Sequence, residues 1–297
     1  MKAQPTTLWY AEVGTPHEIH HFAVEEVLFA GRTAFQNVSI LETVEYGKML
    51  VIDDRTQSAE EDEYIYHESL VHPALIAHPN PRDILIIGGG EGATAREVFR
   101  HPSVERVVMV DIDRELVEQC IKLMPEWHQG SFDDPRLTVV FADGKDYVNT
   151  TDRRFDVIIV DVCDVLEEGP ALALYTERFY QTVKQRLAPS GIVVVQAMEC
   201  SGLDFADHVT VHRTLRYVFE QVRSYTTFIP SFWASWGFVI ASDTVDPRVL
   251  TAQTVDERLA ARGITALRHY DGEGHTHLFA LPRDVRTALE RETTSAW

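Results

Sequence analysis

The sequence has no long hydrophobic run, and this argues against a membrane protein. Its longest apolar stretches, such as VIIV at residues 157–160 and GIVVV at residues 191–195, have the length of strands. A membrane-spanning helix needs about 20 apolar residues in succession. The first residues, MKAQPTTLWYAEVG, lack the basic cluster and apolar run of a secretory signal. We therefore expect a cytoplasmic protein.

Cysteine and basic residues are also scarce. The three cysteines, Cys120, Cys163 and Cys200, are too few and too scattered for a disulfide framework, and their spacing is not that of metal ligands. Acidic residues outnumber basic ones 46 to 27, and the formal charge of −19 repels nucleic acid and attracts cations. Acidity also keeps soluble proteins dispersed, so the charge is compatible with a polycationic ligand without establishing one.

The first sixty residues predict a small antiparallel β domain. Over residues 17–52 the sequence alternates and is rich in Val, Phe and Ile, and a turn signal at Tyr46-Gly47-Lys48 separates two runs. The spacing of His17, His20 and His21 suits the alternating faces of a strand better than a metal site. We therefore expect a β domain over residues 1–60 and no metal site.

The rest of the chain, residues 61–297, predicts a larger α/β domain. Residues 61–77 place apolar side chains at helical spacing, and two prolines, Pro79 and Pro81, follow them. From Asp83 onward apolar strands alternate with amphipathic helical stretches, a succession typical of a doubly wound, Rossmann-like parallel sheet. Near the end, SYTTFIP and GFVIASD predict a closing hairpin.

A glycine-rich turn follows the first strand of this domain. Its sequence, Gly88-Gly89-Gly90-Glu91-Gly92-Ala93, opens a helical stretch and lets a ligand approach a helix N-terminus. It fits the G-x-G-x-x-A form of the dinucleotide fingerprint. Asp111 closes the next strand, at the distance where an acid can hydrogen-bond a ribose. The pattern predicts a nucleotide or nucleoside site.

Acidic residues also close the third and fourth strands. Asp143 with Gly144 ends the third strand, and Asp161 ends the fourth. A single aspartate there could be only a helix N-cap, but their recurrence at successive strand ends indicates a ligand site. Both NAD and an adenosylmethionine-type nucleoside fit this geometry. The acids at the third and fourth strand ends, without an obvious hydride-transfer pair, favour the second.

Glu91 bears on which adenosylmethionine the site would take. The full cofactor carries an α-carboxylate near the glycine turn, where a glutamate facing it would repel a like charge. A decarboxylated cofactor ends in an ammonium and would be attracted instead. If Glu91 faces the cofactor, the sequence therefore favours decarboxylated S-adenosylmethionine.

Several motifs together resemble the spermidine synthase family of polyamine aminopropyltransferases over nearly the whole chain. They are Phe35-Gln36, the segment 52–57 that begins IDD, DEYIYHE at residues 62–68, the GGGEG turn at 88–92, VDID at 110–113, FDDPR at 132–136, Asp143-Gly144 and the loop that begins at Asp161. The resemblance implies an enzyme that transfers an aminopropyl group from decarboxylated S-adenosylmethionine to a polyamine and releases methylthioadenosine. It implies no prosthetic group, and it implies a homodimer or homotetramer formed through the N-terminal domain.

The resemblance also implies roles for individual residues. Asp161 matches the proton acceptor. The implied cofactor-binding residues are Gln36, Gly88, Gly90, Asp111, Asp143, Gly144 and Pro170. The implied acceptor-binding residues are Tyr66, His67, Glu91, Asp164, Phe232 and Trp236. Asp164 and Pro170 belong to the loop that closes over the site in this family.

Departures from ordinary spermidine synthases bear on the acceptor. Glu91 stands where they have Asp, Asp111 where they usually have Glu, and the loop over residues 161–170 is longer than their Asp-Ser-Ser-Asp-Pro. These features look more like thermospermine synthases and the triamine or agmatine aminopropyltransferases of thermophilic bacteria. Phe232, followed by Trp233 and Trp236, replaces an acceptor-binding tyrosine. We expect agmatine or a triamine such as spermidine to be favoured, with putrescine possible.

Two other functions remain open from the sequence. A small-molecule methyltransferase would share the nucleoside site, and a non-catalytic polyamine-binding protein would share the acidic cleft. Aminopropyl transfer requires that Asp161 bind a proton more tightly than an ordinary aspartate does. Proton transfer from an alkylammonium to an ordinary aspartate costs roughly 9 kcal/mol. We therefore expect burial and neighbouring carboxylates to raise the pKa of Asp161.

Overall fold

The structure, a computed structural model, describes residues 8–15, 17–163, 170–201 and 205–291. The first part of the chain forms a five-stranded sheet in which each strand pairs with the next in antiparallel fashion. Its strands are β1 (Leu8–Thr15), β2 (Glu18–Arg32), β3 (Asn37–Thr43), β4 (Gly47–Ile52) and β5 (Arg55–Ala59). The predicted turn at Tyr46-Gly47-Lys48 lies at the β3–β4 hairpin, where Gly47 has a positive φ of 63°.

A second sheet of seven strands follows. Its strands are β6 (Asp83–Gly88), β7 (Arg106–Asp111), β8 (Leu137–Phe141), β9 (Phe155–Asp161), β10 (Leu187–Glu199), β11 (Gln221–Ile229) and β12 (Ala234–Ser242). The order is β11-β12-β10-β9-β6-β7-β8, and the five strands from β10 to β8 run parallel. The closing hairpin adds β12 and β11 antiparallel at one edge. A single 3-10 turn, Pro230–Phe232, joins β11 to β12, and so short a connection requires antiparallel strands.

Helices cover both faces of this sheet, which confirms the predicted Rossmann-like fold. They are α1 (Glu63–Ala77), α2 (Ala93–Phe99), α3 (Arg114–Leu123), α4 (Pro125–His128), α5 (Gly144–Thr150), α6 (Glu177–Arg186), α7 (Ala206–Arg216), α8 (Ala252–Ala261), α9 (Gly272–Leu278) and α10 (Arg283–Glu290). In β6, Ile84 and Ile86 pack toward α1 and α2, whereas Leu85 and Ile87 pack toward α6 and α7. Among the described helices, none has the length and apolar character needed to cross a membrane.

Helix α1 is buried along most of its length and carries Pro73 in its interior. A proline there has no N–H to give to the carbonyl four residues earlier. That carbonyl, on Ser69, accepts the hydroxyl of Tyr225 at 2.9 Å instead. At the end of the helix, Arg262 donates to the carbonyls of Leu75 and His78 at 2.6 and 2.7 Å. These bonds fix the helix against β11 and against the end of α8, and with it the side chains of its first turns.

Candidate active site

A cavity of about 230 Å³ opens at the carboxyl ends of β6, β7 and β9, next to the N-terminal sheet. This is the edge where open α/β sheets bind ligands. Five acidic side chains line it, Asp53, Glu91, Asp111, Asp143 and Asp161, and the described lining contains no lysine or arginine. The cavity therefore suits a cationic ligand.

The cavity brings together most of the residues that the sequence predicted. Those that line it are Gln36, Tyr66, Gly88, Gly90, Glu91, Asp111, Asp143, Gly144 and Asp161. Three others, His67, Phe232 and Trp236, are not among the lining residues. Asp164 lies outside the described residues, and of Pro170 the structure describes only the backbone, at the start of a 3-10 turn.

Asp161 ends β9 and is 9% exposed. Its carboxylate accepts the hydroxyl of Tyr66 at 2.6 Å and that of Thr94 at 2.5 Å. Burial and the charge of Glu91 raise the pKa of Asp161 to about 6, although His67 and the two hydroxyls oppose the change. The expected rise in pKa is therefore present, and its largest cause is desolvation.

Glu91 faces the cavity and is held from behind by His67. Its carboxylate lies 2.9 Å from Nε2 of His67, and Nδ1 of the same ring lies 2.8 Å from the carboxylate of Glu63. The polar atoms of His67, Glu91 and Asp161 all lie within 4.8 Å of one another, a spacing that could hold a metal ion. Both ring nitrogens are engaged with carboxylates, however, so neither offers a free lone pair to a metal. The arrangement favours an ammonium group instead.

Asp111 and Asp143 occupy their strand ends in different ways. Asp143 is the N-cap of α5 and accepts from the amide of Lys145 at 2.7 Å, while it also lines the cavity. Asp111 is not an N-cap, because Asp113 caps α3. Burial, reinforced by neighbouring acids, raises the pKa of Asp111 to about 7. A buried carboxylate at the cavity without a capping duty is suited to accept hydrogen bonds from a ligand.

The predicted aromatic residues separate into two groups. The ring of Phe232 lies 4.9 Å from that of Trp236 and 6.3 Å from that of Tyr66, so this pair packs beside Tyr66 but is not part of the described lining of the cavity. Trp233 points elsewhere: it is 53% exposed and its ring lies 5.0 Å from His20 of β2. Its backbone has a positive φ of 56°, which turns the chain between the two strands.

Sequence reasoning missed several residues that shape the site. Thr94 binds Asp161, and Asp113 accepts both the hydroxyl of Thr33 at 2.6 Å and the amide of Gln36 at 3.0 Å. Asp113 stands at a helix start, where an N-cap could have been predicted. The partners from the N-terminal sheet carry no local signal, because they are 77 or more positions distant in the chain.

Comparison with protein-family models gives two matches. The model described as "Spermine/spermidine synthase domain" matches residues 63–251, and the one described as "Spermidine synthase tetramerisation domain" matches residues 8–60. The chain belongs to the spermine/spermidine synthase family. It is therefore a polyamine aminopropyltransferase, in a family whose co-substrate is decarboxylated S-adenosylmethionine. The matches give no support to the alternative of a methyltransferase.

Individual relatives agree with the family. "Polyamine aminopropyltransferase 2" of Pseudomonas aeruginosa is 48% identical over 279 residues, which cover 94% of this chain and 80% of the relative. A protein of the same name from Hyperthermus butylicus is 50% identical over 266 residues, covering 90% and 87% of the two chains. A crystal structure of spermidine synthase with the transition state analogue AdoDATO superposes with a TM-score of 0.87 at 33% identity, covering 95% of this chain and 94% of that one.

The close contact between β6 and β9 generates a prediction about Gly88. Its φ is +85°, and an added Cβ would lie 2.0 Å from the backbone oxygen of Asp161. Gly130 has the same φ of +85° but nothing within 4 Å of its added Cβ, so it is a matched control. We expect Gly130→Ala to cost roughly 1 kcal/mol through the backbone alone, and Gly88→Ala to cost about 3 kcal/mol or more. Urea denaturation measures both, and equal losses would contradict the steric argument.

Proposed function

We propose that this cavity binds decarboxylated S-adenosylmethionine beside a polyamine, and that Asp161 accepts a proton as the aminopropyl group moves to the amine. The observation that carries the proposal is the buried Asp161 carboxylate, with its raised pKa, next to Glu91 at a cavity lined by acids. Both substrates are cations. A cavity without basic side chains in its described lining therefore favours them over anionic ligands.

We assign the nucleoside of the donor to Gln36, Gly88, Gly90, Asp111, Asp143, Gly144 and Pro170. Gly90 supports this assignment, because an added Cβ would lie 2.8 Å from Oδ2 of Asp111 and would crowd that carboxylate. With glycine there, Asp111 stays accessible to ribose hydroxyls, which are hydrogen-bond donors. The position of Asp143 on the same edge of the sheet supports a contact with the adenine.

We assign the aminopropyl and acceptor side to Tyr66, His67, Glu91, Asp164, Phe232 and Trp236. Glu91 is the carboxylate available to an ammonium, whereas His67 acts from behind it. Phe232 and Trp236 form an aromatic edge beside Tyr66, a surface suited to methylene chains and to cations over ring faces. Asp164 enters this assignment from the family motif alone.

The reaction that we propose balances without a further reactant. The lone pair of the acceptor amine forms a bond to the carbon next to the sulfonium, the C–S bond breaks, and its electron pair leaves on sulfur as a neutral thioether. The proton released by the new ammonium passes to Asp161. With a pKa of about 6, Asp161 lowers the cost of this transfer by about 3 kcal/mol relative to an ordinary aspartate.

Replacing Asp161 by asparagine tests this assignment. We expect Asp161→Asn to reduce turnover by at least a hundredfold, since general-base catalysis contributes roughly 10² to 10⁴. Methylthioadenosine binding should change only a few-fold. Asp156→Asn, on the same strand, is the control, because Asp156 binds the amides of Arg82 and Asp83 away from the cavity. If Asp161→Asn turns over at the wild-type rate in a product-mass assay, Asp161 is not the base.

We also propose that agmatine or a triamine is used at least as well as putrescine. The cavity is lined by acids and by no described basic side chain, and a triamine brings it one positive charge more than putrescine. Agmatine carries two charges, as putrescine does, but its guanidinium offers more hydrogen-bond donors to carboxylates than an ammonium. Phe232 cannot offer the hydroxyl that ordinary spermidine synthases place near this point. Glu167 and Glu168 lie in the loop outside the described residues and would add carboxylates for a distal cation. The printed names of the relatives specify no acceptor.

A panel of putrescine, agmatine, cadaverine, spermidine and norspermidine, read by product mass, measures the preference. The Glu167→Gln, Glu168→Gln double variant should lower kcat/KM for the longer acceptors more than for putrescine, and salt should reduce the difference. A wild-type enzyme that uses putrescine about tenfold better, a difference of ~1.4 kcal/mol, would contradict the proposal.

We further propose that the N-terminal sheet assembles the chain into a homo-oligomer. Its β1–β2 hairpin has two faces: Tyr10 and Phe22 face the core, while Trp9, Val13 and Ile19 share the opposite face. These three side chains are each more than half exposed. The matched family model for residues 8–60 is described as a tetramerisation domain. A second copy of this chain is therefore the proposed occupant of that face.

Light scattering of a Trp9→Glu variant tests the assembly. A charge at the centre of an apolar interface should dissociate it, so the mass should fall toward that of one chain while the CD spectrum stays the same. Tyr217→Glu is the control, because Tyr217 is 60% exposed at the end of α7, away from the N-terminal sheet. A monomeric wild type, or equal effects of both variants, would exclude this face as the interface.

A further inference from the structure

A chain of buried charges runs from the cavity into the protein behind Glu91. His67 binds Glu91 through one ring nitrogen and Glu63 through the other. Glu63 in turn receives two hydrogen bonds from the guanidinium of Arg96, at 3.0 and 2.8 Å. Neither Glu63 nor Arg96 lines the cavity, and both are buried. The charges therefore alternate in sign from Glu91 through His67 to Glu63 and Arg96, and the last two lie too deep to contact a substrate.

This arrangement requires both nitrogens of His67 to carry protons. Nδ1 lies 2.7 Å from the backbone carbonyl of Glu63 and 2.8 Å from its carboxylate, and Nε2 lies 2.9 Å from the carboxylate of Glu91. A neutral imidazole could donate from only one of its two nitrogens. Burial alone would lower the pKa of His67, but the hydrogen bonds with Glu63 and Glu91 outweigh it and raise the pKa to about 10. The ring is therefore a fixed positive charge at neutral pH.

The charge on His67 bears directly on Asp161. Burial and Glu91 raise the pKa of Asp161, and the positive ring of His67 is the largest influence that lowers it. The ionisable and hydrogen-bonding groups facing Asp161 are Tyr66 and His67 from α1, Glu91 from the glycine turn, Thr94 from α2 and Asp111 from β7. Among these groups, all from the described part of the chain, His67 is the one cation.

We propose that Glu63, held in place by Arg96, is a positioning residue that keeps His67 doubly protonated against Glu91 and thereby keeps Asp161 ready to accept a proton. Arg96 has the geometry for this role: beyond its two bonds to Glu63, it donates to the carbonyl of Trp127 at 2.7 Å and to Glu97 at 2.8 Å. Turning the carboxylate of Glu63 away from His67 would therefore break both of its hydrogen bonds from this buried guanidinium. The inference rests on the proposed function of Asp161.

The pH profile of a Glu63→Gln variant tests the inference, because glutamine keeps the shape and removes the charge. The His67 ring should then lose its proton more readily and Asp161 should hold its own more tightly. We expect the acidic limb of kcat/KM to move to higher pH by about half a unit or more, with turnover recovering at alkaline pH. Glu63→Asp, which keeps the charge, should leave the limb near its wild-type position. The ionisation of the acceptor itself is common to all variants and cancels in the comparison.

Glu97→Gln is the matched control. Glu97 binds the same arginine, as well as Arg100 at 2.7 Å and His72 at 3.1 Å, but makes no contact with His67. Its replacement should lower the midpoint of unfolding without moving the pH limb. An unmoved limb in Glu63→Gln, or equal shifts in both variants, would mean that the buried charges are merely structural.

A measurement on the wild-type enzyme covers the case in which Glu63→Gln does not fold. NMR titration of the His67 ring, assigned by the signal lost in His67→Gln, should show a pKa near the value of about 10. Titration between about pH 6 and 7, where an unperturbed histidine changes charge, would overturn the inference. The two experiments can fail separately. Full turnover by Asp161→Asn would show that Asp161 is not the base, whereas the titration tests only the interaction between Glu63 and His67.

Discussion

Asp161 is a carboxylate that folding removes almost completely from water while leaving it able to ionise. Burial of an unpaired carboxylate costs several kcal/mol, and its ordinary resolution is permanent protonation or a salt bridge to a basic side chain. Neither occurs at Asp161. Two hydroxyls, from Tyr66 and Thr94, donate to its oxygens, and the positive ring of His67 stands nearby without a direct bond. The result is a raised pKa rather than an abolished charge.

These stabilising groups come from separate elements, so the site depends on how α1 and α2 are seated on the sheet. Helix α1 supplies Tyr66 and His67, and its seating is fixed by contacts distant from the cavity. Glu68 accepts the amides of residues 268, 269 and 270 at 2.8 to 2.9 Å, which ties α1 to the segment before α9. Tyr225 binds the carbonyl that Pro73 leaves free. A movement of α1 would therefore alter the pKa of Asp161 and, because Tyr66 lines the cavity, the shape of the cavity as well.

The sequence predicts the sheet, the glycine turn and the acids at the strand ends because each is encoded locally. Strand and helix periodicities fix which residues end a parallel strand, and parallel strands place those ends at one edge. Gly88, Asp111, Asp143 and Asp161 could be placed together on that ground alone. The edge hairpin β11–β12 was also predictable, since a short connection forces antiparallel pairing.

Pairings between distant segments could not be predicted in this way. Nothing in the local pattern says that Glu63 meets Arg96, 33 positions away, or that Gln36 reaches Asp113 across 77 positions. Trp233 could not be placed from the sequence either: it follows Phe232 in the chain, but its ring lies 5.0 Å from that of His20 in β2. Which partners a buried charge finds is decided by tertiary packing, and the chemistry of this site depends on those partners.

In the proposed function, cation binding at the acid-lined cavity is coupled to proton release. Asp111 and Asp161 both have raised pKa values because burial and neighbouring carboxylates disfavour their charged forms. An ammonium placed beside Glu91, as proposed, would neutralise part of that repulsion and lower the pKa of Asp161. The arriving acceptor would thus ionise the carboxylate that must later take its proton. In the proposed reaction, transfer remains feasible because the amine becomes acidic as its new bond forms, while the sulfonium charge disappears. In this scheme the charges of the substrates adjust the pKa of Asp161 at each stage, from a starting value that burial and Glu91 raise and that His67 lowers.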